Sequence, residues 1–176
     1  MRVRVGRLAL AASALVAAFL LCGTAWAESG DPDYLVFGAG AYELERPDHA
    51  AQVRAEYRFA ESWYYIKPML GVLVTNEKTV IPYAGFRLDL YLARHWVLTP
   101  NAAFAAFYRG DGRNLGSRAL EFKTGLELDY RFDDHSRLGV AFDHVSNAGL
   151  TKTNPGANSA VLYYAIPVNW FGSGKP

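Results

Sequence analysis

Leu120-Glu121-Phe122-Lys123-Thr124-Gly125-Leu126-Glu127-Leu128-Asp129-Tyr130-Arg131-Phe132 is the stretch whose reading decides the fold. Its even positions are apolar apart from Thr124, and its odd positions are charged apart from Gly125. A period of two sustained over about ten residues places successive side chains on opposite faces of an extended strand and builds no helical face. The same alternation runs through Ala51, Val53, Ala55, Tyr57 and Phe59 against Gln52, Arg54, Glu56 and Arg58. It returns in Ala84, Phe86, Leu88 and Leu90 against Tyr83, Gly85, Arg87 and Asp89.

Extended along the chain, the pattern predicts about eight strands, at 34–44, 50–60, 63–74, 80–91, 96–108, 119–132, 137–147 and 158–170. Short turns at 60–62, 93–95 and 133–136 alternate with generally longer connections at 45–49, 75–79, 109–118 and 148–157. Short turns at one end and long loops at the other are the build of an outer-membrane barrel, and strands of this length cross a bilayer when tilted. The expected fold is therefore all-β, an eight-stranded antiparallel transmembrane β-barrel of the outer membrane. A soluble barrel with its apolar face inside shows the same alternation. Three features favour the membrane form: a meander without helices, mixed charges on the polar faces that can pair in a narrow lumen, and aromatics gathered near strand ends (Trp63, Tyr64, Tyr91, Trp96, Tyr108, Tyr130, Phe132, Trp170 and Phe171).

Residues 1–27 read as a secretory signal peptide. Arg2, Arg4 and Arg7 precede an apolar run from Leu8 to Leu21, and Ala25-Trp26-Ala27 provides a small-residue cleavage site. Leu21, where a small residue would be expected, argues against a lipoprotein anchor on Cys22. The expected mature unit is a single domain, 28–176. It carries about −2 in charge, so no basic excess points to nucleic acid, and it holds no cysteine, which excludes disulfide or thiol chemistry.

The segment Leu138-Gly139-Val140-Ala141-Phe142-Asp143-His144-Val145-Ser146-Asn147 places His144 and Ser146 on one face with Leu138, Val140 and Phe142. That is the apolar, outward face, where a polar pair is costly without a purpose. A serine and a histidine two apart on a strand point the same way and are the minimum for an activated hydroxyl nucleophile. With the N-terminus in the periplasm, this strand ends near the outer leaflet. Interfacial residues that hydrogen-bond lipid headgroups or water are the plainer reading of the pair alone.

The longer string His144-Val145-Ser146-Asn147-Ala148-Gly149, followed by Asn154-Pro155-Gly156 and Tyr163-Tyr164-Ala165-Ile166-Pro167-Val168, resembles the lipid A 3-O-deacylase (PagL-type, acyloxyacyl hydrolase) family. The resemblance implies an outer-membrane serine esterase that hydrolyses the 3-O-linked acyl ester of lipid A, with lipopolysaccharide of the outer leaflet as partner and no cofactor. It implies Ser146 as nucleophile and His144 as base. The Gly149 N–H and the Asn154 amide match oxyanion-hole groups, and Asn147 matches a supporting position. One position departs: where the best-known members carry a glutamate to orient the histidine, this chain has Asn158. An amide oxygen can fix the tautomer but cannot stabilise an imidazolium as a carboxylate does. A second departure is the tail 172–176.

Arg109, Arg113 and Arg118 are candidate contacts to lipid A phosphates, or else solvated loop charges. His49, His95 and His135 lack metal-ligand spacing. Two other readings stand beside the esterase: a non-catalytic barrel that has lost its triad acid, and a soluble periplasmic lipid-binding barrel.

Overall fold

The computed structural model describes residues 30–111, 120–150 and 153–171. The expected signal segment 1–27, Arg113, Arg118 and the tail 172–176 lie outside the described residues. Nine strand elements follow in order: β1 (Tyr34–Tyr42), β2 (Ala50–Arg58), β3 (Ile66–Thr75), β4 (Val80–Leu88), β5 (Leu90–Tyr91), β6 (Trp96–Ala106), β7 (Leu120–Arg131), β8 (Arg137–Ser146) and β9 (Ala157–Pro167), with a 3₁₀ turn at Val168–Phe171. Each pairs antiparallel with its neighbours. β1 also pairs with β9, and β4 with β6, so the sheet closes on itself.

β4 and β5 are one stave interrupted at Asp89, which gives eight staves. Leu88 stands at the level of Pro100 in the register that pairs Arg87 with Asn101 and Leu90 with Leu98. Proline has no N–H to give, and the ladder breaks there. β3 starts later than the expected 63. Tyr64 and Tyr65 take positive φ (48° and 71°) in a tight turn closed by Trp63 and Ile66, so the strand cannot begin before Ile66.

The closed sheet turns the usual order inside out. Phe37, Val53, Phe86, Phe104, Leu126, Val140, Phe142 and Leu162 are exposed on the outer wall. Arg54, Glu56, Arg58, Arg87, Asp89, Glu121, Lys123, Glu127, Asp129, Arg131 and Arg137 are buried in the lumen. Apolar-out, polar-in alternation is what a bilayer demands of a barrel wall, and it removes the soluble reading with its apolar interior. The chain is a membrane-spanning β-barrel.

Side chains fill the lumen and are buried there, as eight staves leave no open channel. An apolar plug of Tyr42, Met69, Leu73, Ile81, Tyr83, Phe107 and Val145 fills the long-loop end. Next to it, across the middle of the barrel, lies a lattice of ion pairs: Arg54 with Asp143 (2.9 Å) and Glu127 (3.3 Å), Arg58 with Glu127 (2.7 Å), and Lys123 with Asp143 (2.7 Å). Trp96 and Phe132 each contact Tyr130 edge-on at the short-turn rim, an interfacial aromatic cluster. Tyr91, expected in that girdle, instead turns in, where its hydroxyl donates to Asp31. Asp31 also meets Arg131 and Arg137. Burial alone would raise the Asp31 carboxyl, but Arg137, the Tyr91 hydroxyl and Arg131 hold it below the usual carboxylate value.

Candidate active site

β8 runs toward the long-loop end, and its burial alternates strictly. Arg137, Gly139, Ala141, Asp143 and Val145 face the lumen, whereas Leu138, Val140, Phe142, His144 and Ser146 face outward. His144 and Ser146 therefore share the lipid-facing wall, half-exposed, at the last turn before the loop. Asp143, the acid nearest in sequence, points the other way and is taken by Arg54 and Lys123.

Antiparallel register sets the histidine's partner. His144 pairs directly with Asn158 on β9, and both side chains point outward. The His144 Nδ1–H donates to Asn158 Oδ1 at 2.9 Å. That contact leaves Nε2 as the ring nitrogen with a lone pair, the atom a base must offer to a serine. Among the described residues, no hydrogen bond joins His144 to Ser146; Ser146 sits two positions along the same face.

Gly156 keeps space open beside the imidazole. It adopts φ +62°, and a Cβ built on it would lie 2.8 Å from His144 Cε1 and 3.3 Å from Nε2. A side chain there is strained by the backbone and collides with the ring. Gly156→Ala is expected to lower turnover at least tenfold while leaving barrel folding, read as heat-modifiable migration on a gel, unchanged. Native-like turnover would show that the ring does not need this space. Gly156 ends the Asn154-Pro155-Gly156 segment, and the sequence alone assigns it no role.

The loop after β8 is knotted around Asn147, which is buried. Its N–H donates to Asn154 Oδ1 (3.0 Å), its Nδ2 donates to Thr153 O (2.9 Å), and its Oδ1 accepts the Gly149 N–H (3.0 Å). Ala148 and Gly149 both take positive φ (52° and 78°), as the central residues of a type I′ turn closed by the Leu150 N–H on Asn147 O at 3.0 Å. Asn147, Gly149 and Asn154 are thus brought together. Two details qualify the expected roles: the Gly149 N–H already has an acceptor within the loop, and Asn154 is anchored through its oxygen, leaving its Nδ2 as the donor end.

Arg109 is exposed, one residue past the bridge between Val80 and Tyr108, and β7 separates its stave from β8. No contact links it to His144 or Ser146. Sequence reasoning missed Glu45 altogether. Its Oε2 accepts the Asn158 N–H at 3.1 Å and lies 3.5 Å from Asn158 Nδ2.

The chain is similar to known proteins of one family. The chain is 40% identical over 67 residues to the lipid A deacylase PagL of Pseudomonas aeruginosa, a match spanning 38% of this chain and 38% of that relative. The crystal structure of the outer membrane enzyme PagL superposes with a TM-score of 0.62 at 23% identity, covering 77% of this chain and 99% of that one, and shares the fold. The outer membrane protein Ail of Yersinia pestis, in a phospholipid bilayer nanodisc, gives 0.46 at 8% identity over 76% of this chain and 99% of that one. A family model described as lipid A 3-O-deacylase (PagL) matches residues 38–167, from within β1 to the end of β9. By that match, this chain belongs to the lipid A 3-O-deacylase (PagL) family.

Proposed function

We propose that the protein is a serine esterase that removes the 3-O-linked acyl chain of lipid A, working from the outer wall of the barrel at the long-loop end. The observation that carries the reading is the 2.9 Å bond from His144 Nδ1–H to Asn158 Oδ1, which holds the imidazole as a base on the same face as Ser146.

His144 Nε2 takes the Ser146 hydroxyl proton as Oγ attacks the ester carbonyl. The tetrahedral oxyanion is held by Asn154 Nδ2 and by the Gly149 N–H, which exchanges Asn147 Oδ1 for the substrate oxygen. The carbonyl carbon's bond to the sugar oxygen breaks, and the imidazolium returns its proton to that oxygen. Water then attacks the acyl-Ser146 ester by the same relay and releases the fatty acid. The hydrogen bond between Ser146 and His144 forms as substrate binds, since such contacts are commonly long without it. Below the site, the wall carries an apolar groove lined by Phe37, Ala39, Val53, Leu138, Leu162 and Tyr164, suited to an acyl chain.

Lipid A from cells making the protein should lose the mass of one 3-linked hydroxyacyl chain. Unchanged lipid A from cells with the barrel correctly folded in the outer membrane would overturn the proposal.

A further inference from the structure

The third member of the site is an amide, and an amide has two ends. Asn158 fixes the useful histidine tautomer only when Oδ1 faces His144. Turned over, Nδ2 would donate to Nδ1, the ring proton would move to Nε2, and the base would be lost. Nothing in the His144–Asn158 pair itself decides between these states.

Glu45 decides it. Glu43 at φ +59° ends β1 and turns the chain, and the Leu44 N–H still donates to Asn158 O at 3.0 Å. Glu45 is thereby held over the start of β9. Its Oε2 accepts the Asn158 backbone N–H at 3.1 Å, standing in for a strand partner, and meets Nδ2 at 3.5 Å. A carboxylate only accepts. The amide must turn Nδ2 toward Glu45 and Oδ1 toward His144. Its negative charge also polarises the amide, making Oδ1 a better acceptor. Arg46, next in the chain, is engaged by Glu43, Asp48 and Glu77.

We infer that Glu45 is a positioning residue of the site, acting through Asn158 to hold His144 in the Nδ1–H tautomer. The inference rests on the reading of His144 as the base. It means that the missing family carboxylate is supplied from the first long loop, one residue further out.

Two readouts in detergent micelles test it. The first is the pair of ring 15N shifts of neutral His144, assigned by difference from His144→Gln. The native protein should show a protonated Nδ1 and an unprotonated Nε2, and Glu45→Ala should move the ring toward the Nε2–H form. The second is turnover: Glu45→Ala should lower kcat about tenfold with little change in KM. In an Asn158→Glu background the same substitution should cost nothing, because a carboxylate at 158 needs no orienting and is relieved of a like charge. Native ring shifts in Glu45→Ala, or an equal loss of kcat in both backgrounds, would overturn the inference. If the native protein hydrolyses no lipid A, the proposed function falls, and the ring shifts still decide the role of Glu45.

Discussion

Replacing Ser146 with Ala, or His144 with Ala, is expected to lower kcat at least about a thousandfold, and the double variant should be no slower than either single one. Members of a nucleophile–base unit fail together, because neither does its work alone, so their effects are far from additive. The residual rate would come from the oxyanion donors and substrate binding. Folding should be spared. Both side chains lie on the outer wall, outside the lumen packing, and among the described residues the side-chain hydrogen bond of the pair is that of His144 to Asn158. Losses that multiply in the double variant would mean the two residues act independently, and the base–nucleophile assignment would be wrong.

The second large effect concerns stability. Glu127 accepts from Arg58 at 2.7 Å, from Arg54 at 3.3 Å and from Asn101 Nδ2 at 3.4 Å, all in the lumen. Both guanidinium groups also stand over the Tyr163 ring at 5.1 Å. Removing one member of a buried ionic cluster leaves the rest desolvated and uncompensated, at a cost of about 3–5 kcal/mol. Glu127→Ala should lower the denaturant midpoint of the barrel in bilayers accordingly. Glu127→Gln, which keeps the volume and one acceptor oxygen, should cost less. Arg58 retains Glu56 and Arg54 retains Asp143, so the variant should still assemble and hydrolyse substrate below its midpoint. An unchanged midpoint would contradict the view that the charge lattice stabilises this barrel.

Much of this was legible in the alternation. Each of the ten charged residues assigned to the polar faces is in the lumen, and the outward placement of His144 and Ser146 followed from strand parity alone. The opposition of Asn158 to His144 was also readable, since both share the outward face of neighbouring strands. Where the reading slipped, a local backbone event or a long-range contact was responsible. The start of β3 moved because two consecutive tyrosines adopt positive φ, which aromatic residues seldom do. The break at Asp89 came from a proline on the neighbouring stave, invisible within β4's own pattern. Tyr91 looked like girdle because only the fold brings Asp31 to it, across 60 positions of chain.

Glu45 was hidden for the same reason. It stands 113 positions from Asn158, in a loop whose sequence carries no motif, and only barrel closure between β1 and β9 brings them together. The Gly149 N–H was readable as a donor, but not its present acceptor, because the Asn147 side chain folds back on its own loop. Such side-chain returns depend on turn geometry rather than residue spacing.

On the proposed mechanism, Ser146 on the outer wall cleaves the acyl–oxygen bond of the 3-linked chain. Purified protein and lipid A in mixed micelles, run in 18O-labelled water and followed by mass spectrometry, test it directly. One 3-linked hydroxy fatty acid should be released with 18O in its carboxyl group, with no label in the remaining lipid A and no release by Ser146→Ala. Intact lipid A, label on the sugar, or equal release by Ser146→Ala would contradict it.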